Sequence, residues 1–444
     1  MLKYCFFICS LLLFCACKTS SLTFQAKLAD KLDKDTLFAN QFTGVSIYDM
    51  QKKEYIVNYN DRKYFIPAST TKLFTFYAGL KILGSSPDTR IPALRYTITS
   101  DSLVFFGTGD PTFLHPYFKE NSIYEFLKNR TEKLYFSTTN WKDNRFGMGW
   151  SWDDFNDDYS VEKSPFPLYG NFIRFSLSNK NLVITPKYIG FSYVEDKTLG
   201  EGLFVKRNEF ENIFTYTTER ANRYFSQDVP FLVSEELIAR MLSDTLKRQV
   251  NRTDKRYKKE NLKILYGLPA DTMYRRMLQT SDNFLAEQIL TLCASQVFDS
   301  QLNTSKIIDY TIKNYLSDLT DKPRWVDGSG LSRMNLFTPR SQVELLLKIY
   351  KEVAKDSVGR MRLFGLLAAG NRPNTTLSGL YKKHNTFIFG KTGTLSNNVN
   401  LSGYLVAKSG KMLCFSFMNN HHLQPVGQIR KRMEEILTDL YLNY

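Results

Sequence analysis

Between residues 88 and 230 the chain reads as short alternating strands, LRYTIT, SLVFFG, FIRFSLS, NLVITPK and GLFVKR, separated by turn signals. The sequence on either side has a different texture. Upstream, residues 43 to 60 (TGVSIYDMQKKEYIVNYN) alternate as a hairpin turning near Gln51 and Lys52. Pro67 then opens an amphipathic run to Leu83, a helix beginning near Ala68 and closed by Gly84-Ser85-Ser86-Pro87. Downstream, helical periodicity returns around Ser234 in EELIARMLSDTLKRQV, MYRRMLQTSDNFLAEQILTLCASQ and SQVELLLKIYKEVA. Strands follow at TFIFGKTG, LSGYLVA and MLCFSFM, the last two joined by a tight Ser409-Gly410-Lys411 turn. A C-terminal helix then packs by Ile429, Met433, Ile436, Leu437 and Leu440. The simplest architecture is an α/β (α+β) domain made of both chain ends and interrupted by a β-rich insertion, with its parts at 17–84 and 233–444 and the insertion at 85–232. Two or three domains are also what 444 residues lead one to expect.

The formal net charge is +15, which by itself would suggest nucleic acid as a partner. The N-terminus argues otherwise. MLKYCFFICSLLLFCAC has a basic start at Lys3, an apolar run too short for a good membrane span, and small Ala16 just before Cys17. Residues 1–16 read as a signal peptide. The small residue before cysteine resembles the bacterial lipobox, which makes Cys17 the first mature residue, lipidated and membrane-anchored, although Phe14 and Cys15 depart from the commonest pattern. The protein is then exported to the periplasmic side, where its basic charge meets anionic wall polymers or substrate carboxylates rather than DNA. Cys293 and Cys414 lie far apart in apolar contexts and read as buried free thiols. No metal site is supported: a calcium loop starting at Asp154 has Tyr159 where glycine is needed and Pro165 where the closing glutamate is needed. Gly109-Asp110-Pro111 reads as a turn, and the basic run Lys255 to Lys263 as a solvated helix face or loop.

The chemistry begins at IPASTTKLFTFYAGL, residues 66 to 80. Lys72 is a charged amine in an apolar helix, which is costly unless it is paired or used. Ser69 lies three residues before it, on the same helical face and near the helix N-terminus, where developing negative charge is favoured. A neutral lysine could take the serine proton if burial and a second cation lower its pKa from about 10.4. Two other stretches offer partners. LQTSDNFLAEQIL places Ser281 and Asn283 at the start of an amphipathic helix, and IFGKTGTLSNN places Lys391-Thr392-Gly393 at the end of a strand. Ser281 can relay a proton, Asn283 can orient a substrate amide, and Lys391 can depress the pKa of Lys72 and bind a carboxylate. Gly393 leaves room for a substrate backbone at the strand edge. The four histidines, His115, His384, His421 and His422, lie outside these motifs, so a Ser-His-Asp triad is not indicated.

Taken in order, IPASTTKLFT, FGTGDPTF, GWSWDDFNDDY, MLQTSDNFLAEQIL, VDGSGLSRMNLFTPR and GKTGTLSNNVNLSGYL resemble the blocks of the serine penicillin-recognising enzymes. Within them the chain is similar to the D-alanyl-D-alanine carboxypeptidase/endopeptidases of peptidase family S13, the penicillin-binding protein 4 type, over roughly residues 40 to 420. The long gap between Ser69 and Ser281 is that family's mark. The resemblance implies a β-lactamase/transpeptidase-like fold, no cofactor, peptidoglycan stem peptides as substrates and β-lactams as covalent inhibitors. It implies Ser69 as the acylated nucleophile, Lys72 as general base, Ser281 and Lys391 as proton relay and field, and Asn283 on the substrate amide. Backbone N–H groups of Ser69 and Thr394 would form the oxyanion hole, with Thr392, Gly393 and Thr394 binding substrate. Asp154, with Tyr159, and Arg333 would hold the free end of the stem-peptide side chain. A β-lactamase would commonly need a water-activating glutamate in an E-x-x-L-N loop, and none occurs between Asn283 and Lys391. A non-catalytic wall-binding protein on the same fold is disfavoured because every expected catalytic side chain is present.

Overall fold

The computed structural model describes residues 26–179, 181–199, 204–219, 224–256, 258–298 and 301–444. The expected signal peptide and Cys17 lie outside the described residues. No described helix is long and apolar enough to cross a membrane.

The two chain ends share one antiparallel sheet of six strands, in the spatial order Ala368–Ala369, Ile388–Leu395, Asn398–Val406, Met412–Asn420, Phe42–Asp49 and Glu54–Tyr59. The N-terminal hairpin joins it in a register that sets Val45 against Phe417 and Ile47 against Phe415. Strict alternation makes this sheet two-sided. Leu401, Leu405, Leu413, Phe415 and Phe417 pack under the C-terminal helix Val426–Asn443, with Ile429, Met433, Ile436, Leu437 and Leu440 and with Leu28 and Leu32 of helical residues 26–34. Tyr404 and Cys414 face the opposite way, into a layer of helices that includes Lys72–Ile82, Ala270–Thr280, Asn283–Val297 and Pro339–Val353.

The Lys72–Ile82 helix is not amphipathic as expected. Every residue from Lys72 to Leu80 is buried, because the helix runs through the middle of that layer with neighbours all round. The helical stretch Met273–Gln296 is two helices, the second beginning at Asn283, where the sequence places a helix start. Ser281 sits between them at φ +66, and Asp282 caps the second by accepting the Leu285 N–H. That second helix is also buried nearly all round.

The insertion has its own core. A five-stranded sheet, ordered Val250–Arg252, Lys133–Ser137, Ser102–Gly107, Arg90–Thr99 and Lys263–Pro269, stands beside two three-stranded sheets built from residues 172–230. Its last strand and the Glu235–Leu246 helix lie beyond the expected boundary at 232. The helix buries Ile238, Met241, Leu242 and Leu246 in the same cluster as Phe105, Phe136 and Phe175, and Leu265 pairs with Leu94. By this packing we divide the chain near 269 rather than 232. Helical periodicity marks an amphipathic face but does not say which core covers it. Gly109-Asp110-Pro111 is a turn, with Asp110 Oδ1 accepting the Thr112 N–H at 2.8 Å. The described residues of the Lys255–Lys263 run are mostly exposed and include a short 3-10 turn at Lys259–Asn261 before the strand that begins at Lys263. Cys293 and Cys414 are buried free thiols, and burial pushes both thiol pKa values up.

Candidate active site

Pro67 leads into a tight 3-10 turn over Ala68–Thr71, and the α-helix starts at Lys72. Ala68 has φ +48, a conformation disfavoured for a residue with a β-carbon, so the fold must hold it there. Thr71 Oγ1 donates to the Ala68 carbonyl at 2.8 Å, and Asn400 Nδ2 donates to the carbonyls of Ile66 and Pro67, each at 2.9 Å. Gly330 presses on the turn from outside: a β-carbon there would stand 1.9 Å from the Ala68 carbonyl oxygen. These contacts present half-buried Ser69 beside buried Lys72.

Lys72 Nζ lies 2.9 Å from Ser69 Oγ, 2.7 Å from Asn283 Oδ1 and 2.6 Å from the Ser329 carbonyl oxygen. The Asn283 amide is oriented by its other end, whose Nδ2 donates to the Tyr159 carbonyl at 2.9 Å. Asn283 Oδ1 and the Ser329 carbonyl can only accept. A neutral lysine amine has N–H groups for those two and a lone pair left over, which then faces the Ser69 hydroxyl. The ammonium form places its remaining N–H in the same direction. Burial lowers the Lys72 pKa to about 8, against the opposing pull of Asp327, Glu287 and Asp282.

Lys391 and Ser281 form the second pair. Lys391 Nζ donates to Ser281 Oγ at 2.9 Å and to the Thr392 carbonyl at 2.8 Å. Burial drives the Lys391 pKa well down, and the positive charges of Lys72 and Arg430 push it further the same way. The expectation that Lys391 depresses Lys72 is therefore reversed in emphasis. Lys72 has carboxylates nearby that favour its charged form, whereas the charges acting on Lys391 are both positive. Among the described residues no direct hydrogen bond joins this pair to the Ser69–Lys72–Asn283 group.

Lys391, Thr392, Gly393 and Thr394 occupy the Ile388–Leu395 strand, whose outer edge is paired, among the described residues, only over Ile388 to Gly390, by Ala368, Ala369 and the Gly370 N–H. Gly393 has the nucleophile turn against its side-chain face. A β-carbon on it would stand 2.5 Å from the Pro67 carbonyl oxygen and 3.1 Å from the Thr70 nitrogen, so the glycine lets this strand abut the nucleophile turn. Thr394 follows directly on the same strand.

The acidic segment of the insertion reaches the same place. Tyr159 Oη donates to Asp154 Oδ1 at 3.0 Å and to Asp157 Oδ2 at 2.9 Å. Burial raises the Asp154 pKa, and the Arg333 charge opposes that rise. Arg333 is exposed and donates to the Ser396 carbonyl at 3.3 Å. Tyr159, Asp158, Arg276, Ser281 and Asn283 line a cavity of about 230 Å³.

Sequence reasoning missed the supports. Asp327 accepts the N–H groups of Gly330 at 2.8 Å and Ser332 at 2.7 Å, Asn335 Nδ2 at 2.7 Å, and the indole N–H of Trp150 at 2.9 Å. It thereby ties the insertion to the loop carrying Ser329 and Arg333. Buried Glu287 accepts the Ser329 N–H at 2.7 Å, and burial followed by the Asp327 charge raises its carboxyl to about 7. The signal for Asp327 was its place ahead of Gly-Ser-Gly; nothing local marks Glu287.

Known proteins carry the same architecture. The family model of the D-Ala-D-Ala carboxypeptidase 3 (S13) family matches residues 24–195 and 216–440. Penicillin-sensitive carboxypeptidase A of Dictyostelium discoideum is 22% identical over 433 residues, spanning 84% of this chain and 81% of that protein. Penicillin binding protein 4 of Haemophilus influenzae superposes with a TM-score of 0.72 at 19% identity, covering 93% of this chain and 99% of that one. A predatory peptidoglycan endopeptidase of Bdellovibrio bacteriovorus, also solved acylated by penicillin G, gives a TM-score of 0.52 in both forms. At 15% identity the first of these covers 90% of this chain and 92% of that one. With the family model spanning both halves of the domain and the insertion between them, the chain belongs to the D-Ala-D-Ala carboxypeptidase 3 (S13) family and is a serine-type D-Ala-D-Ala carboxypeptidase.

Proposed function

We propose that the protein cleaves D-Ala-D-Ala ends and D-amino-acid cross-links of peptidoglycan stem peptides through an acyl-enzyme on Ser69. The observation that carries this is the orientation of Lys72 Nζ by two obligatory acceptors, which aims its remaining position at Ser69 Oγ. In the neutral state that position is a lone pair.

Neutral Lys72 takes the Ser69 proton as Oγ bonds to the carbonyl carbon of the penultimate D-alanine. The carbonyl π electrons move onto oxygen, and the backbone N–H groups of Ser69 and Thr394 receive the oxyanion. Asn283, half-buried between Lys72 and the cavity, meets the substrate amide. As the tetrahedral species collapses, the C–N bond breaks and the proton taken up by Lys72 passes by way of Ser281, held by Lys391, to the leaving amine, which restores neutral Lys72. Water then repeats the sequence on the ester and frees Ser69. Asp154 and Arg333 offer opposite charges to the free end of a stem-peptide side chain carrying both amine and carboxylate, with Tyr159 holding Asp154 in place. The same nucleophile takes β-lactams as covalent inhibitors.

We further propose that the chain is exported to the periplasmic side and anchored by a lipid on Cys17. Labelled palmitate should appear on the full chain and disappear in Cys17→Ser. For the activity, purified sacculi are digested with the soluble chain and the muropeptides resolved by mass. Loss of terminal D-alanine or of cross-linked dimers, absent with Ser69→Ala, is expected. A labelled-penicillin adduct that survives Ser69→Ala would refute the assignment of the nucleophile.

A further inference from the structure

Glu287 lies on the Asn283–Val297 helix, four residues after Asn283 and so on the same face, and is only 1% exposed. Its Oε1 accepts the Ser329 N–H at 2.7 Å, and the Ser329 carbonyl accepts from Lys72 Nζ at 2.6 Å. A trans peptide plane carries a carbonyl at one end and the next residue's N–H at the other. Both planes that meet at Ser329 are gripped at both ends. In the plane before it, the Gly328 carbonyl accepts from Thr75 Oγ1 at 2.6 Å while the Ser329 N–H donates to Glu287. In the plane after it, the Ser329 carbonyl accepts from Lys72 while the Gly330 N–H donates to Asp327 Oδ1 at 2.8 Å. Gly328 permits the close fit, since a β-carbon there would stand 2.7 Å from the Ala286 carbonyl oxygen. Glu287 thereby helps to fix the carbonyl that aims the amine at Ser69.

Holding an N–H does not require a charge. A glutamine oxygen could accept the same hydrogen bond, whereas a buried carboxylate is costly. What only the carboxylate supplies is negative charge near Lys72, where Glu287 acts with Asp327 and Asp282 to favour the ammonium form. That form is what Lys72 becomes on taking the Ser69 proton, so the charge lies where positive charge develops. The groups that face Glu287 are Asp327, Lys72 and, from the insertion, Lys163, which is itself paired with Asp143 at 3.0 Å. Lys72 in turn neighbours Asp282 and Lys391.

We propose that Glu287 is a positioning residue for the general base: it holds the Ser329 segment that aims Lys72 and balances the charge Lys72 acquires as it takes the Ser69 proton. This rests on the acyl-enzyme reading above. It adds to the Ser69–Lys72 pair a third group that orients the base, from a helix position outside the three sequence motifs.

The test follows acylation of Ser69 by labelled penicillin against pH in the full chain, for wild type, Glu287→Gln and Glu287→Asp, with each fold checked by its melting temperature. Glutamine keeps the reach and the acceptor but not the charge, and aspartate keeps the charge with a shorter reach. Glu287→Gln should move the bend near pH 8 downward by at least about half a unit and lower the plateau about three- to tenfold. Glu287→Asp should lower the plateau while leaving the bend in place. A Glu287→Gln profile that coincides with wild type overturns the proposal. So does an equal displacement of the bend in both variants, which loosened packing rather than lost charge would produce. If Glu287→Asp does not fold, the Glu287→Gln profile decides alone. A wild type that takes no penicillin would sink the acyl-enzyme reading itself, whereas an acylating wild type matched by Glu287→Gln sinks only the role of Glu287.

Discussion

Lys72 and Lys391 are both wholly buried, both bonded to a serine hydroxyl, and yet they stand in opposite fields. Around Lys72, three carboxylates counter part of the burial penalty, and two rigid acceptors pin its N–H groups. Around Lys391 the charged neighbours are cations, Lys72 and Arg430. Mutual repulsion between nearby amines disfavours two protons on the pair, and the fields decide which amine keeps one. Two similar Ser–Lys pairs can thus do different work. In the proposed mechanism Lys72 exchanges a proton with Ser69, while Lys391, its pKa driven well down, donates to Ser281 and holds it in place.

Removing the amines tests this most severely. Lys72→Met should slow acylation of Ser69 by labelled penicillin about ten-thousandfold and Lys391→Met only about a hundredfold, spanning the usual range for a lost proton-transfer group. Equal losses in stopped-flow acylation would erase the distinction. The pH profile sharpens it. Because the Lys72 pKa is lowered from 10.5 to about 8, the neutral base grows as pH rises, so acylation should climb about tenfold per unit below pH 8 and level off above it. In Lys391→Gln the bend should remain near 8, since the charges that act on Lys72 are those of Asp327, Glu287 and Asp282 and not that of Lys391. A displacement of a full unit would show that it carries charge.

Asp327→Asn acts on the Lys72 side alone. The Asp327 charge raises the Lys72 pKa, so its removal should move the bend to lower pH. It also weakens the hydrogen bonds that Asp327 accepts from Gly330, Ser332, Asn335 and Trp150, at a cost of about 2 kcal/mol visible in a denaturant melt. The smallest effect belongs to the exposed rim. Asp154→Asn should raise KM for stem peptides only severalfold and leave penicillin acylation unchanged, as partly exposed charges contribute little. A large fall in penicillin acylation would place Asp154 among the reacting groups.

The N-terminal hairpin and the C-terminal helix were legible residue by residue. Their signals are local: alternation around a turn at Gln51 and Lys52, and an apolar stripe from Ile429 to Leu440. The buried helices were legible as helices but not by their setting, because Lys72–Ile82 and Asn283–Val297 carry apolar residues on all sides. The start of the second helix was legible from Ser281-Asp282-Asn283 ahead of an apolar run, but not the left-handed turn at Ser281 that separates it from the helix before. The insertion was drawn too short because its last strand, Lys263–Pro269, pairs with residues 90–99, a partner about 170 residues away that no local pattern reveals.

The sequence by itself determined which reactive groups exist and in what order: Ser69 and Lys72 on one turn, Ser281 with Asn283, and Lys391 on a strand. Residue identity and short spacing are covalent facts, and these motifs consist of little else. Tertiary structure alone decided what those groups can do. The Lys72 lone pair is aimed by Asn283 and Ser329, the Gly393 space is taken by Pro67 and Thr70, and Arg430 reaches Thr394 from the last helix. Burial and the placement of charge set a pKa, and both arise only when segments hundreds of residues apart exclude water from one another.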